Sequence, residues 1–391
     1  MNLSQTITRT VLVLFAALTA HFKVGAQAVP VTPTEEDLTP KYVNEFLNIG
    51  VGARALGMSL AQVASVNDVT SGYWNPAGLN SIGSDLQIAA MHSEYFAGIA
   101  KYDYAAIGKS IDSLSSASIS FIRFGVDDIP NTTELIDAGG NINYDRITTF
   151  SAADYAFILS YGRKGFPRNR SIRNTSVLVN DPNGLGRRFR WGVNLKVIHR
   201  QVGDFAGSWG FGFDLGAQMD LGKWKLGAMA KDVTSTFNAW SFSLDDKTKQ
   251  VFAQTGNELP QNGLEIALPQ LILGGGREFK IKKVSILAEA NAIITTDGKR
   301  NTLVSSNPFS IDPNLGLEIA YSKVIFLRLG CGNAQRVKNF DGSDAWTVQP
   351  NFGLGLHIKN LHLDYALSDI GNVSDVLYSN VFSLKYDIYK K

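Results

Sequence analysis

Few residues in this chain have the type and spacing that chemistry requires. The five histidines are His21, His92, His199, His357 and His362, and no pair of them sits at the spacing of a helical metal site. His357 and His362 flank a short turn at Lys359 and read as hydrated residues near it. No Gly-x-Ser-x-Gly elbow presents a nucleophile, and no Gly-x-x-x-x-Gly-Lys loop cradles phosphate. Cys331 is the only cysteine, so no intrachain disulfide is available, and a catalytic thiol would need a partner that the sequence does not offer. Asp341 and Asp344 flank Gly342 in a calcium-like way, but the remaining ligands are missing and a loop tip is expected. The sequence therefore predicts no catalytic residues, no metal and no cofactor.

The residues that do stand out lie in a compact stretch, 41–83, rich in Gly, Ala and Ser. Gly50, Gly52 and Gly57 interrupt any regular element. Residues 60–66 are apolar on one side, enough for about two helical turns. Asn75 precedes Pro76 and is pushed out of the helical region, while Ala77 and Gly78 close a turn. A small-residue segment ahead of a strand series is what a plug folded inside a barrel needs. If residues 41–84 are that plug, Arg54 requires a carboxylate or carbonyl partner, because an unpaired charge away from water is costly. Its expected role is to pin the plug to the wall, and that of Trp74 is to anchor it in an apolar pocket.

The elements around this stretch are strands. Fourteen segments beyond it show period-two alternation: 85–95, 100–112, 115–125, 149–162, 190–203, 207–220, 223–232, 266–279, 282–294, 313–322, 324–333, 345–358, 360–369 and 378–389. In the last, Phe382, Leu384, Tyr386 and Ile388 alternate with Ser383, Lys385 and Asp387. Strands of about 10 residues cross a bilayer when tilted. From the sixth strand on, the links alternate short and long, as in outer-membrane barrels with short periplasmic turns and longer outer loops. The exception is 163–189, long, arginine-rich and on the short side. Fourteen amphipathic strands left as an open sheet would carry two unpaired edges into lipid, and closure removes them. Gly274-Gly275-Gly276 falls inside a strand, marking a bulge or close packing against the plug. The predicted fold is an all-β membrane protein: a 14-stranded antiparallel barrel over 85–391, with both termini in the periplasm.

Residues 1–26 carry Arg9, an apolar core over 11–20 and a small-residue site at Val24-Gly25-Ala26, the pattern of a secretory signal peptide. The apolar core is too short for a helical span, which needs ~20 residues. Residues 27–40 are polar and proline-bearing, a periplasmic leader. Cleavage would remove Arg9 and Lys23 from the 37 basic residues, leaving 35 against 35 acidic. A neutral chain gives no electrostatic case for nucleic-acid binding.

The run FLNIGVGARALGM, then Asn67-Asp68 and YWNPAGL, resembles the amino-terminal signature of the PorV/PorQ family, associated with type IX secretion in Bacteroidetes, within the wider FadL-like group. The motif residues are Gly50, Gly52, Arg54, Gly57, Asp68, Trp74, Asn75, Pro76, Ala77 and Gly78; Ser59-Leu60 stands where the family often carries Gly-Gly. The resemblance implies a fourteen-stranded outer-membrane barrel with a lumenal amino-terminal segment. It further implies a non-enzymatic role in export, binding secreted cargo with a carboxy-terminal signal domain, or a translocon barrel. The alternative is a FadL-like channel for a hydrophobic small molecule, and a third reading is a structural barrel without transport. Either partner would meet the longest outer loops, 126–148 and 233–265, where Phe237, Trp240 and Phe242 are the candidate contacts, with Leu244 beside them.

Overall fold

The computed structural model describes residues 43–136, 139–165, 188–338, 342–368 and 379–390. The expected signal peptide and leader, most of the arginine-rich connection and Asp341 lie outside the described residues.

Among the described residues, seventeen strands form one sheet. They are β1 (Leu86–Tyr95), β2 (Ala100–Ser110), β3 (Ser115–Asn131), β4 (Thr148–Lys164), β5 (Phe189–Val202), β6 (Ala206–Leu221), β7 (Trp224–Lys231), β8 (Thr236–Phe242), β9 (Gly263–Ala267), β10 (Gln270–Ile281), β11 (Val284–Thr295), β12 (Val304–Ser305), β13 (Ser310–Tyr321), β14 (Ile325–Lys338), β15 (Asp344–Ile358), β16 (Leu361–Ser368) and β17 (Ser379–Ile388). Fourteen of them close a ring of antiparallel pairs. β7 pairs with β10 and β11 with β13, leaving β8, β9 and β12 outside it, and β17 returns to β1 through Leu86↔Ile388. All fourteen strands read from the sequence belong to this ring.

Alternation along β6 and β17 is inside-out relative to a water-soluble core. In β6, Trp209, Phe211, Phe213 and Leu215 are exposed, while Ser208 and Asp214 on the other face are buried. In β17, Phe382, Leu384 and Tyr386 are exposed and Asp387 is buried. Apolar side chains on the outside of a closed, edgeless sheet suit lipid; in water a continuous band of them would drive association.

Three differences from the sequence reading have physical causes. The sheet continues past residue 125 into β3 and β4 through a register shift between Val126 and Ile129, which breaks strict period two. The 233–265 connection is built, not irregular: β8 pairs with β6, β9 with β8, and α3 (Asp246–Gln254) lies between them. The Asp245 side chain caps α3 by accepting from Thr248 N at 2.7 Å. Finally, 60–66 is not helical. The short helices are α1 (Ala53–Gly57) and α2 (Ser71–Trp74), and consecutive left-handed residues Ser59 (φ 52°) and Leu60 (φ 66°) stop the chain from continuing as helix.

Candidate functional site

The amino-terminal segment is seated by side chains from strand after strand. Gly52 N lies 2.9 Å from Met91 S of β1, and Ala53 N donates to Ser383 Oγ of β17 at 2.7 Å. Arg54 donates through Nε to Glu318 Oε2 of β13 at 2.8 Å and through Nη2 to Oε1 at 3.1 Å. Burial works against the Arg54 charge, but Glu318 more than offsets it and the pKa is raised. Glu318 also accepts from Arg328 Nε at 2.7 Å, and Arg328 reaches Asp364 at 2.6 Å, so the ion pair extends into a network across β13, β14 and β16. Asp68 takes Thr70 N at 2.9 Å on one oxygen and Lys385 Nζ of β17 at 2.6 Å on the other. Burial alone would raise its carboxyl, yet Lys385 and Thr70 hold it down at about 2.

The Asn-Pro-Ala box is a capping device. Asn75 is extended (φ −168°), its side-chain oxygen accepts from Ala77 N at 3.2 Å, and Pro76 opens a 3-10 helix, Pro76–Ser81, where a missing N–H costs nothing. Asn75 Nδ2 also donates to Val63 O and Ala217 O, both at 3.0 Å. Trp74 Nε1 donates to Val51 O at 2.9 Å, and the ring meets Tyr73 edge-on at 4.8 Å.

Close approach is made possible by glycines on both sides. A Cβ on Gly57 would lie 2.9 Å from Gly353 Cα of β15, and one on Gly78 only 2.4 Å from Val66 O. On the wall, a Cβ on Gly192 or Gly216 would strike Asn75 or Pro76, and one on Gly274 would come 2.3 Å from Val63. No register shift accompanies Gly274, which therefore serves close packing and not a bulge. Gly50 has φ 98° and faces Leu60 and Trp74.

At the long-loop end lies a cavity of about 700 Å³. Its wall includes Phe150, Phe205, Trp240, Phe242, Leu244, Phe252 and Leu264, with Pro130–Thr133 from the other long loop. Phe150 and Phe205 meet edge-on at 5.2 Å, and Trp240 and Phe242 stack at 6.0 Å. Arg200 lies 5.0 Å from the Trp240 ring and donates to Asp154 at 2.8 Å and to Glu265 at 3.5 Å. Trp240 Nε1 is buried with no described acceptor. The two long loops are tied by Lys247 and Glu134 at 2.8 Å.

Of the three expected contacts, Trp240 and Phe242 line this cavity, whereas Phe237 does not; it is 43 % exposed and packs on the outward Phe211 at 6.1 Å. Sequence reasoning missed Phe150, Phe205 and Phe252. The alternation of β8, which turns successive side chains to opposite faces, is the signal that separates Phe237 from Trp240 and Phe242. The His357 and His362 rings lie 4.2 Å apart at a tilt of 52° and pair with Asp364 and Asp387. They are partly buried, not simply hydrated. Among the described residues no group of His, Cys, Asp and Glu is arranged to hold a metal ion.

No protein-family model matches the chain, and no curated protein does. Solved structures do. The chain is similar to CymD, a monoaromatic hydrocarbon channel, at a TM-score of 0.50 and 11% identity over 88% of this chain and 98% of that one. The toluene transporter TodX of P. putida gives 0.49 and 12% over 88% and 99%, and the toluene transporter TbuX of Ralstonia pickettii 0.48 and 12% over 87% and 99%. At such identity the likeness is one of fold. The chain shares that fold: a closed antiparallel barrel with an apolar outer face suited to lipid, its first strand beginning and its last ending at the short-turn end.

These findings correct the resemblance to the PorV/PorQ family and, with it, the expected type IX secretion role and the translocon or cargo partners: CymD, the barrel of like fold at a TM-score of 0.50, is a monoaromatic hydrocarbon channel. The physical reason is visible in the motif. Arg54, Gly57, Asp68, Asn75 and Gly78 are consumed in seating one segment against strands, so a match there reports how that segment packs and nothing about what the outer loops bind.

Proposed function

We propose that this barrel is a channel for hydrophobic small molecules, captured at the outer end and admitted past an amino-terminal plug. The observation that carries the reading is the apolar cavity of about 700 Å³ between the two long outer loops. A concave, aromatic-lined site with a few polar groups at its edge favours an uncharged or weakly polar ligand. CymD, the solved barrel of like fold at a TM-score of 0.50, is a monoaromatic hydrocarbon channel, which supports the same ligand class.

The plug occupies 43–84 and lies in the lumen. In support, its partners come from the full circuit: Met91 of β1, Ser160 of β4, Gln218 of β6, Glu289 of β11, Glu318 of β13 and Ser383 of β17 are spread around the ring, and α1 packs on β14, β15 and β16. One short segment reaches strands on all sides of a closed barrel only from within it. Gly50, Gly52 and Gly57 permit its close turns, Ala77 is fully buried at the box, and Trp74 anchors it, as the motif implies.

Calorimetric titration of the purified barrel with toluene tests the reading. Saturable binding is expected, with Trp240→Ala plus Phe242→Ala raising Kd by about tenfold or more, the equivalent of ~1.4 kcal/mol. No saturable heat, or identical binding by the double variant, would remove the outer cavity as the capture site.

A further inference from the structure

The short-turn end of the barrel carries an unused charge pattern. Four hairpins, β6–β7, β10–β11, β13–β14 and β15–β16, join eight strands that are consecutive around the ring. The residues at their tips are Gly222-Lys223, Lys282-Lys283, Ser322-Lys323-Val324 and Lys359-Asn360, so every tip carries lysine. Lys223, Lys282, Lys283, Lys323 and Lys359 are all exposed, and none forms an ion pair with a described carboxylate. The carboxylates nearby are already engaged: Asp220 with Arg190 and Lys225, Glu278 with Lys280.

The backbone makes this placement harder to dismiss as ordinary surface charge. Lys282 (φ 53°), Lys323 (φ 57°) and Lys359 (φ 53°) occupy the left-handed region. Glycine or asparagine is the ordinary choice at left-handed positions of tight hairpins, and lysine is not. The flanks are apolar and exposed: Trp224, Ile281, Tyr321 and Ile358 adjoin the tips, and Val324 lies in one. Arg277 adds a cation 4.8 Å from the Trp224 ring. A lysine one residue beyond an exposed apolar or aromatic side chain stands at the boundary of the hydrocarbon, with its stem along the apolar band and its ammonium at headgroup level.

We infer that this arc binds the phosphate-bearing headgroups of anionic phospholipids in the inner leaflet of the outer membrane. Neighbouring hairpins on the rim are about 10 Å apart, two strand spacings, so the tips form a nearly continuous basic track over more than half the circumference. Phosphates provide the counter-charge that the protein does not. The β2–β3 turn on the same rim differs in kind: there Asp112 caps its own backbone, accepting from Leu114 N at 2.7 Å and Ser115 N at 2.8 Å. The exposed outer loops mix signs, with Asp204, Asp245, Asp246 and Glu258 beside Lys247 and Lys249. The inference does not depend on what the channel carries.

The test is native mass spectrometry of the full barrel after incubation with equimolar phosphatidylglycerol and phosphatidylethanolamine. The wild type is expected to retain phosphatidylglycerol in preference by about tenfold, since a few lysines near a surface each favour anionic lipid by about fivefold at most. The variant with Lys223, Lys282, Lys283, Lys323 and Lys359 all changed to Gln loses that preference, while Lys247→Gln with Lys249→Gln keeps it. A wild type without preference, or a five-site variant that retains it, overturns the inference. So does recovery of an acidic periplasmic protein on the rim in place of lipid. Should the variant fail to assemble, the wild type in rising sodium chloride decides: a preference undiminished at high salt is not electrostatic and sinks the proposal.

Discussion

The seat of the amino-terminal segment and the outer cavity are built on opposite principles. In the seat, small residues bring backbone against backbone, and charges are buried in a shared network of Arg54, Glu318, Arg328 and Asp364. In the cavity, bulky aromatic side chains project from β4, β8, α3 and the β5–β6 turn, and charge is confined to Arg200 with Asp154 and Glu265 at one side. Close packing with a satisfied polar network specifies a single arrangement and tolerates little change. An apolar cavity on connecting segments tolerates substitution and adapts to ligand. The difference separates the region that holds the segment in place from the region that lies open between the outer loops.

Substitution should reveal this contrast as a split between stability and binding. The largest loss is expected at the centre of the ion network. Glu318→Ala would leave Arg54 and Arg328 buried without their shared carboxylate, and removing one member of such a group costs about 3–5 kcal/mol. Denaturant midpoints of the refolded barrel check this; a loss no greater than at an exposed site would show that the network does not hold the segment. Gly78→Val comes next, because its added carbons meet Val66 O and Ser71; overpacking of this kind costs about 1–3 kcal/mol. Heat-modifiable gel migration reports it, and unchanged migration with normal outer-membrane levels would count against the tight seat.

Acid should act on the seat and not on the cavity. Asp68 has its carboxyl held at about 2, below the ordinary value near 4. A depressed carboxyl contributes stability above its unfolded value, and that contribution is lost as pH falls through the folded one. Stability supplied by the Asp68–Lys385 pair is therefore present above about pH 4 and disappears between about pH 4 and pH 2, on the order of 2 kcal/mol. Asp68→Asn should flatten that part of the pH–stability curve. The smallest structural effect belongs to Phe242→Ala in the cavity, within about 1 kcal/mol of wild type in unfolding, since its loss leaves no buried polar group unpaired.

Legibility from sequence divides along the same line. The strands were readable because lipid on one side and a polar lumen on the other impose alternation at period two, as in Trp209–Leu215 and Phe382–Tyr386. The motif around Asn75 was readable because only certain residues cap a 3-10 turn while passing close to a wall. That Arg54 needed a carboxylate followed from the cost of burial, but Glu318 is 264 positions away, and nothing local marks it. The cavity was half legible: Trp240 and Phe242 stood out as aromatics in a long loop, whereas Phe150 and Phe205 join them only through the register of β4, β5 and β6. The export reading failed because the recognised residues belong to the seat, and the seat does not determine the cargo.

The most direct test of the channel is transport itself. Toluene uptake would be compared in cells carrying the wild-type barrel, the Trp240→Ala/Phe242→Ala variant at equal folded amount, and no barrel. Faster uptake with the wild type at low toluene, returned to the barrel-free rate by the double variant, is the predicted result. Uptake by wild-type cells no faster than by cells without the barrel, with oleate giving the same answer, would contradict a channel for hydrophobic small molecules.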